Sequence, residues 1–316
     1  MKFSITIPAY KSTYLHQAIC SVLAQTYEDF ELIIVDDCSP ENLKAIVSEF
    51  KDNRIRYYRN ANNIGAINLV DNWNICLSYC EGDYVICMGD DDRLKPNCLE
   101  QYVGVINKYP ELDVYHAWTE IIDSQGLHRE TLEKRPEFET VISMIYKRMN
   151  GASQFIGDFC YKTKMLKQAG GYFNLPLAWC SDDITAYRAA YYKGIANTQE
   201  VCFEYRVSLR TISKNESEDI IQMKVFAILE QNKWLKRILQ DINESALSLS
   251  DLNYYDYIQT NLKKYISEEI AYWAIKDIRF KNVKVIFWLQ FFYKYHLKFT
   301  VLIKHYLGYI YHKYFH

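Results

Sequence analysis

Three aspartates in a row, Asp90-Asp91-Asp92, close the apolar run Val85 to Met88, and Pro96 follows four residues later. Adjacent carboxylates repel one another unless something cationic sits among them. Hard oxygen ligands suit Mg²⁺ or Mn²⁺, and Mg²⁺ often takes one or two protein carboxylates and leaves room for substrate phosphates. One chemistry for this segment is therefore a metal–diphosphate site. The plainer alternative is a solvated acidic turn, since Asp is common in turns. Two other acidic pairs stand out, Asp36-Asp37 and Asp182-Asp183. Ser181 reads as an N-cap for a helix beginning at the second pair, where acids in the first turn stabilise the macrodipole by about 0.3–1 kcal/mol each.

Strands and helices must carry these groups. Residues 3–7 read as a strand halted at Pro8, and 13–25 as a helix with Leu15, Ile19, Val22 and Leu23 on one face. Residues 31–35 form a second strand ending in Asp36-Asp37, and Ser39 with Pro40 reads as the start of a second helix. A short strand at 55–58, a turn at Asn62 to Gly65, a helix through Asn68, Trp73 and Leu77, and the strand before the aspartates complete the alternation. Such alternation predicts an α/β fold with a mostly parallel sheet, whose ligands bind beyond the carboxyl ends of the strands. Pro8-Ala9-Tyr10, Asp36-Asp37 and Asp90-Asp91-Asp92 each follow a separate strand, so three polar strand ends converge on one edge and favour a nucleotide-type site. Beyond residue 98 the spacing predicts helices at 99–108, 141–150 and 182–193, a strand at 112–118 and an exposed loop at 124–139.

The 316 residues are 49% hydrophobic, enough for a core, and the net charge of −2 gives no field for nucleic acid. Nine Cys show no metal-ligand spacing and no disulfide pattern. No apolar stretch is long enough for a signal peptide or a spanning helix, which makes the cytoplasm the default compartment. A boundary near residue 215 separates a domain at 1–215 from a helical region at 216–316. From residue 281 onward there are six Lys and no Asp or Glu, interleaved with aromatics. Such a segment suits the face of an anionic membrane. The alternative is a helical bundle packed on the catalytic domain or on a second subunit in a homodimer.

The motifs together resemble family 2 glycosyltransferases of the GT-A fold, which are inverting and use nucleotide-sugars. The resemblance runs through Ser4 to Tyr10, Ser21 to Tyr27, Phe30 to Ser39, Asn63-Ile64-Gly65, Gly82 to Val85 and the triple aspartate with Pro96, then weakly through Gly170 to Phe173 and Ser181-Asp182-Asp183. It covers about residues 3 to 210. It implies a GT-A domain with a helical C-terminal extension, a UDP- or dTDP-sugar donor, Mg²⁺ or Mn²⁺, and a glycan or lipid-linked acceptor in cell-surface polysaccharide synthesis. A location at the inner face of the plasma membrane would follow from such an acceptor.

By the same resemblance Pro8, Ala9 and Tyr10 line the nucleobase pocket and Asp37 accepts from a ring N–H. Asn63 and Gly65 pack beneath the nucleotide, and Asp90 sits near the ribose. Asp91 holds the metal, with Asp92 as a second ligand or an orienting group. Many relatives carry Asp where this chain has Gly89, so the assignment among Asp90, Asp91 and Asp92 stays open. The catalytic base falls at Asp182-Asp183, with Asp183 preferred. Arg206 and Arg210 are the diphosphate clamp, although Ser208 stands where relatives often have His. Nucleotidyl transfer would want a Gly-rich phosphate loop after the first strand, and Ala9-Tyr10-Lys11-Ser12 contains no glycine. A catalytically degenerate sugar-nucleotide-binding scaffold is the remaining alternative.

Overall fold

Alternating apolar segments and turns lay down the first half in order: β1 (Phe3–Ala9), α1 (Leu15–Leu23), β2 (Phe30–Asp36), α2 (Leu43–Ser48), β3 (Ile55–Arg59), α3 (Leu69–Ser78), β4 (Tyr84–Cys87), β5 (Arg93–Leu94) and α4 (Cys98–Lys108). The second half adds β6 (Val114–Ile122), β7 (His128–Thr131), β8 (Phe138–Glu139), α5 (Val141–Met149), β9 (Phe159–Lys162), α6 (Thr163–Gln168), α7 (Ser181–Ala190) and β10 (Ile195–Arg206). The computed structural model covers the backbone of residues 1–207, 217–280 and 284–315, and the side chains of all of these but 280 and 312–315. The chain divides into two compact units, Met1–Thr211 and Ile212–His316.

One sheet runs through the first unit in the order β3-β2-β1-β4-β9-β6-β10-β5. The pairs from β3 to β4 are parallel, as is β6 with β10, whereas β9 lies antiparallel between β4 and β6. All seven residues of β2 are buried, and its middle, Leu32 to Val35, is apolar throughout because both faces are covered. Ile5, Ile7, Leu32, Ile34 and Ile86 are fully buried in the core. Each such side chain contributes about 1.5–3 kcal/mol.

Pro8 does not halt β1. It lies inside the strand opposite Val35, and β4 pairs with β1 only as far as Thr6, so its missing N–H breaks no ladder bond. The expected cap at Ser39 is also displaced. α2 starts after Asn42, whose side chain accepts from the Ala45 amide, while Ser39 donates to the Tyr10 carbonyl. The expected loop at 124–139 contains β7 and β8, and it buries Arg135 and Glu139.

The second unit is helical: α8 (Glu218–Asp241), α9 (Leu249–Phe280), α10 (Lys284–Lys294) and α11 (Phe299–Phe315). Lys224 is buried with its ammonium 4.0 Å from the Trp273 ring centre. Asp277 of α9 takes both Lys284 and the Trp288 indole N–H of α10. Among the described residues no helix is long and apolar enough to cross a membrane.

Candidate active site

β1, β2 and β4 are parallel neighbours, so the loops after them meet at one edge. The three aspartates after β4 have different neighbours. The carboxylate of Asp90 accepts from the amides of Tyr10 and Lys11, both at 2.8 Å, and so ties the loop after β1 to the end of β4. Burial, and then the charge of Asp91, push its pKa up to about 6 against the pull of those amides. Asp92 is buried and accepts from the Arg206 amide at 2.9 Å, and burial followed by Asp91 pushes it well above the usual carboxylate range. Asp91 is the half-buried member of the three. Burial raises its pKa, while the charges of Lys11 and Arg206 lower it.

Gly89 fits this turn for a steric reason. A Cβ there would stand 2.8 Å from a carboxylate oxygen of Asp92 and 2.9 Å from one of Asp91. The space that another residue's side chain would occupy is filled by the carboxylates that follow. The departure at Gly89 is therefore built into the cluster.

Asp37 is almost fully buried, and its oxygens receive Asn60 Nδ2, Asn63 Nδ2, and the amides of Ile64 and Gly65 at 2.9–3.1 Å. Four donors fill a carboxylate's capacity. The structure thus brings Asp37, Asn63 and Gly65 together, but as one self-satisfied loop in place of a free acceptor for a base. Gly65 has φ 78°, a conformation that favours glycine. Asp36 is likewise consumed, by Ser39, Tyr57 and Arg59. Tyr10 remains exposed at this edge, and Pro8 is half-buried.

Arg206 corrects its expected role. Its guanidinium donates to the carbonyls of Asp91, Asp123 and Ser124 and to Gln17 Oε1, and it lies 4.3 Å from the Tyr14 ring centre. It is fully buried, so it anchors the aspartate turn and offers no fork to a diphosphate. Arg210 and Ser208 lie outside the described residues.

The second acidic pair opens α7. Leu177, Ala178 and Cys180 all adopt left-handed φ, at 62°, 55° and 63°. Each such residue costs roughly 1–2 kcal/mol, and such outliers cluster at functional sites. Cys180 is the helix cap, and Ser181 sits inside the helix with its hydroxyl accepting from the Leu175 amide at 3.2 Å. Ser181 is therefore not the expected N-cap. Asp183 is 1% exposed, paired with Arg148 Nε at 3.2 Å and hydrogen-bonded by Gln154 Nε2. A carboxylate so enclosed, expected from the sequence as the preferred base, has little room for an incoming group. Asp182 is half-buried and accepts from the Asp183 amide at 2.9 Å. Burial and then the charge of Asp183 push its pKa up to about 8, with Arg148 opposing.

Sequence reasoning missed the residues that join these pieces. Tyr205 of β10 stacks on Phe155, with ring centres 3.6 Å apart, and burial followed by Asp92, Asp91 and Asp182 pushes its phenol up. Charges from both acidic groups thus act on one phenol. Lys11 was legible, because it directly follows the Pro8-Ala9-Tyr10 segment. Arg148 and Gln154 carried no local signal. Among the described residues no group of three or more His, Cys, Asp or Glu is arranged to hold a metal ion.

Residues 4–168 match the model of Glycosyl transferase family 2. The chain belongs to this family. It is 31% identical over 167 residues to an uncharacterized glycosyltransferase of Rickettsia typhi, covering 50% of this chain and 51% of that one. It is 40% identical over 111 residues to WcaA of Escherichia coli K12, a glycosyl transferase named for colanic acid biosynthesis, covering 33% of this chain and 39% of that one. Among these curated relatives the matched share of their own length runs from 18% to about half, 51%. The fold is GT-A, similar to Staphylococcus aureus TarS 1–349 in complex with UDP-GlcNAc at a TM-score of 0.60 and 16% identity, covering 95% of this chain and 93% of that one. A mannosyltransferase of Pyrobaculum calidifontis in complex with GDP-Man and Mn²⁺ has a TM-score of 0.55 at 13% identity, covering 87% and 73%.

Proposed function

We propose that this chain is an inverting glycosyltransferase. It moves a sugar from a nucleoside diphosphate donor, with UDP- or dTDP-sugars favoured, to a hydroxyl of a glycan or lipid-linked acceptor in polysaccharide synthesis. One observation carries the reading: each acidic group holds one carboxylate half-buried, Asp91 in the first and Asp182 in the second, beside the buried Asp92 and Asp183. TarS with UDP-GlcNAc and the mannosyltransferase with GDP-Man are the fold's nucleotide-sugar precedents, and E. coli WcaA supports the polysaccharide context.

Inverting transfer needs a base for the acceptor hydroxyl on one side of the sugar and charge neutralisation of the leaving diphosphate on the other. Asp182 is the base in this reading, since a carboxylate with a pKa near the working pH accepts a proton best. Asp183 is its positioning residue, held by Arg148 and Gln154. Asp91 is the one open carboxylate of its cluster, which fits Mg²⁺ or Mn²⁺ shared with substrate phosphates, with Asp92 behind it orienting the turn. A bound divalent ion would neutralise charge growing on the diphosphate. Lys11, electrostatically coupled to Asp91, adds positive charge from the protein itself. Tyr10 and Pro8 line the base pocket, shaped by the loop that Asp37 holds.

The test is calorimetry and nucleoside diphosphate release with UDP-, dTDP- and GDP-sugars, in Mn²⁺ and then in EDTA. Metal-dependent binding and release with one donor is expected, and an inverted anomeric configuration in the product establishes the stereochemistry. A folded sample that binds no donor would move the assignment to a non-catalytic scaffold.

A further inference from the structure

α10 and α11 each carry two apolar faces, and only one of each is covered. On α10, Trp288 and Phe292 are buried, with the Trp288 indole bonded to Asp277 of α9. On its other side Ile286, Leu289 and Tyr293 recur at helical spacing, with Ile286 66% and Tyr293 74% exposed. On α11, Val301 and Leu302 are buried, and His305 faces Glu268 of α9. Phe299, Ile303, Leu307 and Tyr311 recur every four residues along a second exposed stripe, with Leu307 61% exposed. Both inner faces engage α9, so both outer stripes point away from it. A helix that is apolar all round ordinarily has cover on every side.

The charge on these helices says what covers them. The 36 residues from 281 hold six of the chain's 37 Lys and Arg and none of its 39 Asp and Glu. The other 280 residues therefore run at a net −8. Lys284 is neutralised by Glu218 and Asp277 at 2.8 Å. Lys294, Lys298 and Lys304 make no ion pair among the described residues. A second copy of this chain is a poor cover, because a twofold contact sets the same surface against itself and would oppose these lysines with no acid to meet them. Exposed Ile, Leu and Phe with flanking lysines and tyrosines match the boundary of an anionic bilayer, where apolar side chains enter, aromatic rings sit at headgroup level and lysines meet lipid phosphate.

We propose that the outer stripes of α10 and α11 form a docking surface for an anionic lipid bilayer, on which these helices lie without crossing it. The surface does not depend on the transferase reading, because neither stripe includes an active-site residue.

The experiment is co-sedimentation of the full chain with vesicles of phosphatidylcholine alone or with added phosphatidylglycerol, over a salt series, with mass measured by light scattering in parallel. The chain is expected to bind the anionic vesicles and to release as salt rises. Ile303→Glu with Leu307→Glu should weaken binding by about tenfold or more, since both side chains are exposed and would enter the lipid boundary. Lys294→Gln, Lys298→Gln and Lys304→Gln together should weaken it by about 100-fold, at one lysine's attraction each. An unchanged helical circular dichroism spectrum and denaturant midpoint in both variants would show that they are folded. Absence of binding to anionic vesicles, or equal binding by wild type and the double variant, overturns the proposal. A wild-type dimer that the double variant converts to monomer, with no change in vesicle binding, also overturns it and makes the stripes a subunit contact.

Discussion

The turn after β4 and the first turn of α7 solve one problem in two ways. Each crowds carboxylates together, leaves one open and uses an arginine to steady the rest. After β4 the bonds run largely through backbone: Asp90 to two amides, Asp92 to one, and Arg206 to three carbonyls. At α7 they run through side chains, with Asp183 held by Arg148 and Gln154. A backbone-built site tolerates changes in distant side chains, whereas a side-chain-built one depends on each partner. In the proposed mechanism that difference separates groups that react from groups that hold, and it can be tested at both places.

The largest effects belong to the open carboxylates. Asp91→Asn should abolish metal-dependent turnover with the fold intact, read as nucleoside diphosphate release beside an unchanged circular dichroism spectrum. Asp182→Asn should lower kcat by about 10²–10⁴-fold, the usual worth of a positioned base, with donor affinity retained. Wild-type turnover in either variant would remove its assignment. If Asp183→Asn matched Asp182→Asn in kcat loss at full stability, the division between open and holding carboxylates would fail.

The holding residues should show their effect in stability. Asp183→Ala leaves Arg148 partly buried without its partner and should cost about 3 kcal/mol, the low end for a broken buried pair because Arg148 reaches solvent. Arg206→Lys keeps the charge but loses the fork that gathers three carbonyls and Gln17, at a cost of about 1–3 kcal/mol. Denaturant midpoints at constant slope measure both. If Arg206→Lys kept its stability but weakened binding of nucleoside diphosphate alone, the clamp role would return to Arg206.

The same contrast explains what the sequence discloses. β1 to β4 and their polar ends are local features, written in short apolar runs and the residues just after them, so the first acidic cluster is legible with its turn. Periodicity does not find β10, whose alternation is broken by register shifts between Asn197 and Val201 and again before Phe203. Polarity makes 124–139 read as an exposed loop, yet Arg135 and Glu139 are buried facing each other. Burial alone would push Glu139 up, and Arg135 with Lys147 holds it below the usual carboxylate range. The enclosure of Asp183 is hidden from the sequence for the same kind of reason. Arg148 lies 35 residues from Asp183 in sequence, and no spacing rule within α7 reports that it closes on that carboxylate.

The smallest effect is a shift in pH dependence, and it bears on Asp182 most directly. With a pKa of about 8 in the free protein, Asp182 is mostly protonated at neutral pH and becomes a competent base as pH rises through that value. A group that must lose its proton to work gives a log kcat/KM that climbs with unit slope below its pKa and levels above it. Arg148 pulls that pKa down, so Arg148→Gln should move the midpoint upward and leave the plateau less changed than the rate at pH 7. Asp183→Asn removes a neighbouring negative charge and should move the midpoint the other way. Opposite shifts from two residues that touch each other are what a shared electrostatic effect on Asp182 requires, because loss of structure would lower activity in both variants without moving their midpoints apart.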